Sequence, residues 1–204
     1  MTTDAALAYP IRHNTILDVV DENDIVTGQA NRAEIHDTGL IHREVHILYA
    51  TPRGEIVFQR RAADKDTWPG YLDSTVGGHV ELGQTYEEAA LREAEEETGL
   101  ILQPADLTLL GKELSRTDDP VSGRKNNCFR TVYGYTLRQP VETLTVETDA
   151  GAGFVAVPLA RLEAGDVDGL KMIPMLLDHH HLDYYRRLVQ MTETAGQTDT
   201  ITGR

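Results

Sequence analysis

Glu93, Glu96 and Glu97 stand at i, i+3 and i+4 in the stretch Tyr-Glu-Glu-Ala-Ala-Leu-Arg-Glu-Ala-Glu-Glu-Glu-Thr-Gly-Leu, from Tyr86 to Leu100. Ala, Leu, Glu and Arg are good helix formers, and Gly99 suits the left-handed position just past a helix end. The pattern therefore predicts a helix over Tyr86–Thr98, with the three carboxylates leaving one face. Like charges at that spacing repel, so something positive must offset them. A hard divalent cation, Mg²⁺ or Mn²⁺, does this with oxygen ligands. Arg92 stands next to the acids and can orient a carboxylate. A solvated acidic face is the plain alternative, and composition alone favours it. Upstream, Gly77-Gly78-His79 make a glycine turn, and Ala90, Ala94 and Leu91 give the helix a small apolar face for a sheet.

The order of residues points away from the plain alternative. Gly78, then Arg92-Glu93-Ala94, Glu96-Glu97 and Gly99-Leu100 are in register with the Nudix box, and the stretch resembles that signature of the Nudix hydrolases. One position departs from it: Gln84 stands where the box has its first Glu. The resemblance implies an α+β Nudix fold, a mixed β-sheet sandwiched between helices as α/β/α, here with an N-terminal hairpin extension. It implies metal-dependent hydrolysis of a diphosphate linkage in a nucleoside diphosphate derivative or related small molecule. Glu93, Glu96, Glu97 and the carbonyl of Gly77 would hold Mg²⁺ or Mn²⁺. Glu93 or Glu96 would serve as base. In other Nudix enzymes the base comes from a loop outside the box, and Glu147 is the candidate of that kind here.

Outside the box the chain resembles the isopentenyl-diphosphate isomerase branch of the same fold. The shared segments are Asp18-Val19-Val20-Asp21-Glu22-Asn23, His36 with His42, Gln59-Arg60-Arg61, Trp68-Pro69-Gly70 and Gly78-His79. In that branch the histidines matching His36, His42 and His79 help bind a metal, and a cysteine just before the Gly-His pair is catalytic. Here that place is Gly77, Cys128 lies elsewhere, and the later metal-binding acids have no match around Asn126–Tyr133. Proton transfer to an alkene lacks its groups, whereas diphosphate hydrolysis has its acidic helix. Hydrolase is therefore the reading, with an isomerase-like enzyme and a catalytically weak nucleotide-binding module as alternatives. Lacking the other ligands of that set, His36 and His42 are expected to be polar residues at a strand entrance.

For substrate contacts the candidates are Arg60, Lys65, Trp68 and His79. Arg60 and Arg61 are neighbours on an expected strand and face opposite ways, so one of them reaches a phosphate. Trp68 stacks on a base or covers the pocket, or is simply packed. His179, His180 and His181 are adjacent on a helix, point in different directions and cannot jointly chelate one ion.

The elements that must position these groups follow from pattern. Thr15–Val20 and Ile25–Ala30 flank turn residues and form a hairpin, and Asn31 caps a short helix, Arg32–His36. Strands are expected at Ile41–Tyr49, Glu55–Arg61, Ile101–Leu110, Cys128–Leu137 and Gly153–Val157, with a loop or hairpin tip at Arg116–Asn127. Helices are expected to begin at Leu159 and to span Pro174–Met191. Residues 1–192 are expected to be a single Nudix domain and 193–204 a flexible tail. The chain of 204 residues carries a net charge of −14, which argues against nucleic acid or an anionic membrane as partner but not against a phosphorylated small molecule. Its one cysteine permits no internal disulfide and fits a cytoplasmic location. No signal peptide or bilayer-spanning run is visible. Oligomeric state is open, with a homodimer one option.

Overall fold

The computed structural model describes residues 15–65, 67–120, 122–146 and 151–201. A hairpin of β1 (Ile16–Val20) and β2 (Val26–Asn31) leads into helix α1 (Arg32–Thr38). Strands β3 (His42–Ala50), β4 (Glu55–Arg61), β5 (Leu72–Asp73) and β6 (Val76–His79) precede helix α2 (Tyr86–Thr98). A long hairpin, β7 (Thr108–Asp118) and β8 (Lys125–Thr136), is followed by β9 (Gly151–Pro158), α3 (Leu159–Glu163) and α4 (His179–Ile201).

Local chemistry sets the ends. The Asn31 side chain accepts a hydrogen bond from the Glu34 N–H and starts α1. Thr85 and Glu88 form a reciprocal capping box at the start of α2, and Gly99 ends that helix with φ 73°. The helix expected over Tyr86–Thr98 and the strand expected over Glu55–Arg61 have those bounds. Elsewhere the boundaries differ. The strand expected from Ile101 starts at Thr108, because Pro104 opens a short 3-10 turn, where its missing N–H costs nothing. The hairpin tip is shorter than Arg116–Asn127, since pairing continues to Asp118↔Lys125. The helix expected from Pro174 is two pieces: a 3-10 turn over Pro174–Leu177, then α4, whose His181 N–H donates to the Asp178 carboxylate at 2.8 Å. Its backbone stays helical through Ile201, within the stretch expected to be a loose tail.

The main sheet runs β5-β4-β3-β8-β7, with β6 also on β3 and β9 also on β4. β3 is its axis. One edge of β3 pairs with β8 in parallel along its whole length. The other edge is split: Glu44–Ile47 pair with β6, and Tyr49–Ala50 with β4. The Thr75 hydroxyl closes the split, accepting from the Tyr49 N–H at 3.0 Å and donating to the Val57 carbonyl. Side chains alternate along β3. Val45, Ile47 and Tyr49 pack with Val76, Ala89, Ala90 and Ala94 beneath α2. Leu48 and Ala50 pack on the opposite face with Phe58, Val132, Leu176, Tyr185 and Leu188, beneath α4. The sheet is thus sandwiched between helices, as expected, and the two-stranded β1–β2 hairpin stands beside it.

The α4 face is apolar only at one end. At the other end β3 presents His42, Glu44 and His46, and β8 presents Cys128 and Arg130 in register with His42 and Glu44. All five are buried. Arg130 donates to Glu44 Oε2 at 3.0 Å and to the Ser115 hydroxyl at 3.1 Å, so the buried guanidinium is paired. Burial, aided by the Arg130 charge, pushes the His46 imidazole down to about 3.

Two outcomes follow from these local arrangements. Thr85→Ala removes one half of the capping box and should lower stability by about 1 kcal/mol, read as a lower urea midpoint at unchanged m-value. His46 is depressed in the fold and ordinary when unfolded, so its contribution is fully present above pH ~6.5 and is lost as pH falls towards the folded value. The unfolding free energy of metal-free protein, read by urea titration, should therefore drop between pH 7.5 and 5, by at most about 1.4 kcal/mol per pH unit for this one group. His46→Gln should flatten that slope, and an unchanged slope would refute the assignment.

Candidate functional site

Gly78 is where α2 and β6 touch. A Cβ built at Gly78 would fall 2.0 Å from the Glu93 carboxyl group, so the glycine is what lets this acid lie against the strand. Arg92 holds the acids together. Its guanidinium contacts Glu93 Oε1 at 2.9 Å and Glu96 Oε2 at 2.9 Å, and donates to the His79 carbonyl at 3.0 Å. Here this arginine supplies positive charge beside two of the three acids, Glu93 and Glu96. Glu97 is buried, and its Oε2 accepts from the Gly77 N–H at 3.2 Å and from Gln59 Nε2 at 3.4 Å. Glu93 and Glu97 thus lie against the backbone of Gly77 and Gly78, and Glu96 joins them through Arg92. Gln84, the departure from the box, lies in the turn before α2 and accepts from the Glu81 N–H at 3.1 Å, apart from the acids.

The hairpin braces the same helix. Asp24, at the tip between β1 and β2, accepts from Arg43, Tyr86 and Lys112, linking the hairpin to β3, α2 and β7.

The remaining candidates fall in different surroundings. Arg61 is committed to Asp73 at 2.8 Å and to Thr67, whereas Arg60 has one long hydrogen bond, 3.5 Å, to the Gly70 carbonyl. Trp68 packs edge-on to Tyr71 with centroids 5.1 Å apart and joins the rim of the core below α4. Lys65 lies in the same loop, its N–H donating to the Ala62 carbonyl at 3.3 Å. Glu147 lies outside the described residues. His181 is buried against Asp178 while His179 and His180 stack on each other, so the three do not converge.

His36 and His42 do not behave as separate polar residues at a strand entrance. With His79 they bring one ring nitrogen each within 4.8 Å of the others, in the one such three-ligand group among the described residues. The rings come from α1, β3 and β6, and only the folded sheet brings them together. Their surroundings fix their tautomers. His36 Nδ1 lies 3.0 Å from the Lys125 carbonyl and His42 Nδ1 3.4 Å from the Leu40 carbonyl, so in the tautomer that donates from Nδ1 each Nε2 lone pair faces inward. His42 Nε2 is buried without a hydrogen-bond partner, and His36 Nε2 sits 3.1 Å from His79 Nε2. Burial, with neighbouring cationic groups, holds His36 below and His79 well below the usual imidazole range. His36 and His79 are therefore neutral at neutral pH.

Glu44 was not singled out from the sequence. It lies between the histidines and Arg130, and its signal was present: His42, Glu44 and His46 occupy alternate positions of one buried strand. Burial alone would raise its carboxyl, but His42 and Arg130 hold it well below the usual carboxylate range. Burial, and then the same carboxylate, push the Cys128 thiol well up, so it is an inert thiol that donates to Glu44.

Among the described residues no helix is long and apolar enough to cross a membrane. The profile of the NUDIX domain matches residues 40–176. A Nudix hydrolase of Pseudomonas aeruginosa, itself of uncharacterized activity, is 34% identical over 163 residues, covering 78% of this chain and 91% of that protein. One from Streptomyces coelicolor is 50% identical over 84 residues, 41% of this chain and 46% of its own length. The match to a Nostoc relative spans 57% of that protein, so the chain covers about half the length of these latter two. The crystal structure of DR0079 from Deinococcus radiodurans superposes with a TM-score of 0.60 at 26% identity, over 85% of this chain and 98% of that one. With Glu93 and Glu97 set against the glycine turn, the chain has the Nudix fold and belongs to the Nudix family.

Proposed function

We propose that the protein is a metal-dependent hydrolase that splits a diphosphate linkage in a nucleoside diphosphate derivative or a related small molecule. The observation that carries this reading is the placing of Glu93 and Glu97 against Gly78 and Gly77, with Glu96 tied to Glu93 through Arg92. The donor set fits the cation the family uses: three carboxylates and the Gly77 carbonyl are all hard oxygen ligands, suited to Mg²⁺ or Mn²⁺. When bound there, such a cation neutralises phosphate charge and lowers the pKa of a ligated water.

The chain's own groups do the rest. Glu97 is anchored to the Gly77 N–H and to Gln59, so its carboxylate is fixed before substrate arrives. Arg92 keeps Glu93 and Glu96 in place. Water attacks phosphorus, its proton passes to Glu93 or Glu96, and the bridging oxygen leaves with the departing phosphate. Glu147, outside the described residues, is the alternative base. Arg60 is better placed than Arg61 to meet a phosphate, because Arg61 already holds Asp73. Lys65, Trp68 and His79 complete the proposed substrate set. The net charge of −14 keeps nucleic acid and membrane out of the proposed partners, and the location proposed is the cytoplasm. Residues 1–192 form the proposed working domain, active alone or as a homodimer.

One observation favours a second component, drawn from the isomerase-like subgroup: the three histidines of that branch, His36, His42 and His79, do converge here. We assign them a second divalent cation. The isomerase chemistry itself is not favoured. A side chain at Gly77, the place of that enzyme's cysteine, would meet the His46 ring at 3.2 Å.

Turnover across a panel of nucleotides, nucleotide sugars and isopentenyl diphosphate, with Mg²⁺ or Mn²⁺, tests the reading. Glu97→Gln should cost about 100-fold or more in kcat with an unchanged circular dichroism spectrum. Parental turnover in that variant would refute the helix assignment, isomerisation of isopentenyl diphosphate would promote the other chemistry, and nucleotide binding without cleavage would mark a binding module. Gly78→Ala displaces Glu93 and should lower kcat at least about 10-fold while Glu97 stays in place.

A further inference from the structure

We infer that Glu44 completes the three-histidine group, making a centre of three imidazoles and one carboxylate that takes a borderline transition metal such as Zn²⁺, Mn²⁺ or Co²⁺. This inference rests on the assignment of a cation to His36, His42 and His79, and it supplies the anionic ligand that the strand around Asn126 lacks. Asn126 and Cys128 stand where a carboxylate would otherwise come from β8. Instead, β3 provides one from the neighbouring strand.

The two oxygens of Glu44 have different jobs. Oε2 is anchored by three donors: Arg130 Nη2 at 3.0 Å, Cys128 Sγ at 3.0 Å and Asn126 Nδ2 at 3.2 Å. Oε1 also accepts from Asn126 Nδ2, at 3.0 Å, and is turned to the histidines, 3.4 Å from His42 Nε2 and 3.7 Å from His79 Nε2. With His36 and His42 holding their Nδ1–H on backbone carbonyls, the Nε2 atoms of these two rings are acceptors. His42 Nε2 and Glu44 Oε1 then face each other at 3.4 Å, lone pair to carboxylate oxygen, which is unfavourable unless a cation lies beside them. The buried, unpartnered Nε2 of His42 is the clearest sign.

The supporting contacts match what a ligating set needs. Each of these two imidazoles is oriented by a carbonyl on its far nitrogen, and the carboxylate by a guanidinium, a thiol and an amide on its far oxygen. Three nitrogens and one oxygen favour Zn²⁺, Co²⁺ or Mn²⁺ over Mg²⁺, whose preference is for oxygen. The centre is chemically distinct from the all-oxygen acid cluster on α2. It lies on the other face of β6, since Gly78 turns to Glu93 while His79 turns to Glu44.

The test is Co²⁺ titration of the metal-free 204-residue chain, followed by the visible d–d absorption of imidazole-ligated Co²⁺. All proteins carry Glu97→Gln, which removes the α2 cluster from the titration. The background protein should bind with saturable absorption, and His36→Ala should abolish it. Glu44→Gln should weaken Co²⁺ at least about 10-fold and shift the band. Glu44→Asp keeps the charge opposite Arg130, which protects folding, yet withdraws Oε1, and should also weaken binding and shift the band. If the background protein binds, His36→Ala abolishes it, and both Glu44 variants keep the parental affinity and band, Glu44 is not a ligand and the three histidines act alone. If the background protein gives no band, or His36→Ala leaves it intact, the histidine assignment falls and Glu44 with it.

Discussion

Both proposed centres depend on the register of four paired positions. β3 and β6 are antiparallel, with Glu44↔His79, Val45↔Gly78, His46↔Gly77 and Ile47↔Val76. Because side chains alternate across a sheet, this register sends Gly78 and Val76 towards α2, and His79 with Glu44 and His46 towards α4. A slip of one residue would bury the imidazole of His79 against the alanines of α2 and push Gly78 among the histidines. Both candidate centres would be lost together. The register is held by the apolar face, where Val45, Ile47 and Val76 are fully buried. The packing that stabilises the sheet therefore also selects where the chemistry is placed.

The cost of this arrangement is concentrated at one end of the α4 face. Histidines, a glutamate, a thiol and an arginine are buried there in place of aliphatic side chains. Buried ion pairs contribute little net stability, and breaking one by removing a partner is strongly destabilising. Glu44 and Arg130 are thus better explained by what they hold than by what they stabilise. The opposite end of the same face is filled by Leu48, Ala50, Phe58 and Tyr185, an ordinary core. The division fits a fold in which one half of a sheet surface stabilises and the other half orders polar groups.

Local signals were legible in the sequence where they were short in range. The α2 helix could be bounded to the residue because Thr85, Glu88 and Gly99 are cap residues acting on their own neighbours. The Glu55–Arg61 strand and the Asn31 cap were legible for the same reason. The failures come from features that act at a distance or compete locally. Pro104 inserts a 3-10 turn that delays β7, and Asp178 restarts a helix that the apolar pattern alone would run on from Pro174. The histidine group was named by the isomerase resemblance but set aside for lack of its other ligands, because its members are far apart in the chain and meet only where a helix and two strands come together. His36 sits on a helix and His42 on a strand, so no single periodicity contains both. Glu44 left a fainter trace, one acid at an alternate position between two histidines, which has meaning only once that strand is known to be buried.

The central claim is that two chemically different centres occupy opposite faces of β6. Anomalous diffraction from crystals of this protein soaked with Mn²⁺, and separately with Co²⁺, tests it most directly. The account predicts a Mn²⁺ peak among Glu93, Glu96, Glu97 and the Gly77 carbonyl, and a separate Co²⁺ peak among His36, His42, His79 and Glu44 Oε1. A single shared position for both metals, or crystals in which the acid cluster keeps Arg92 and takes no Mn²⁺ even with a diphosphate present, would contradict it.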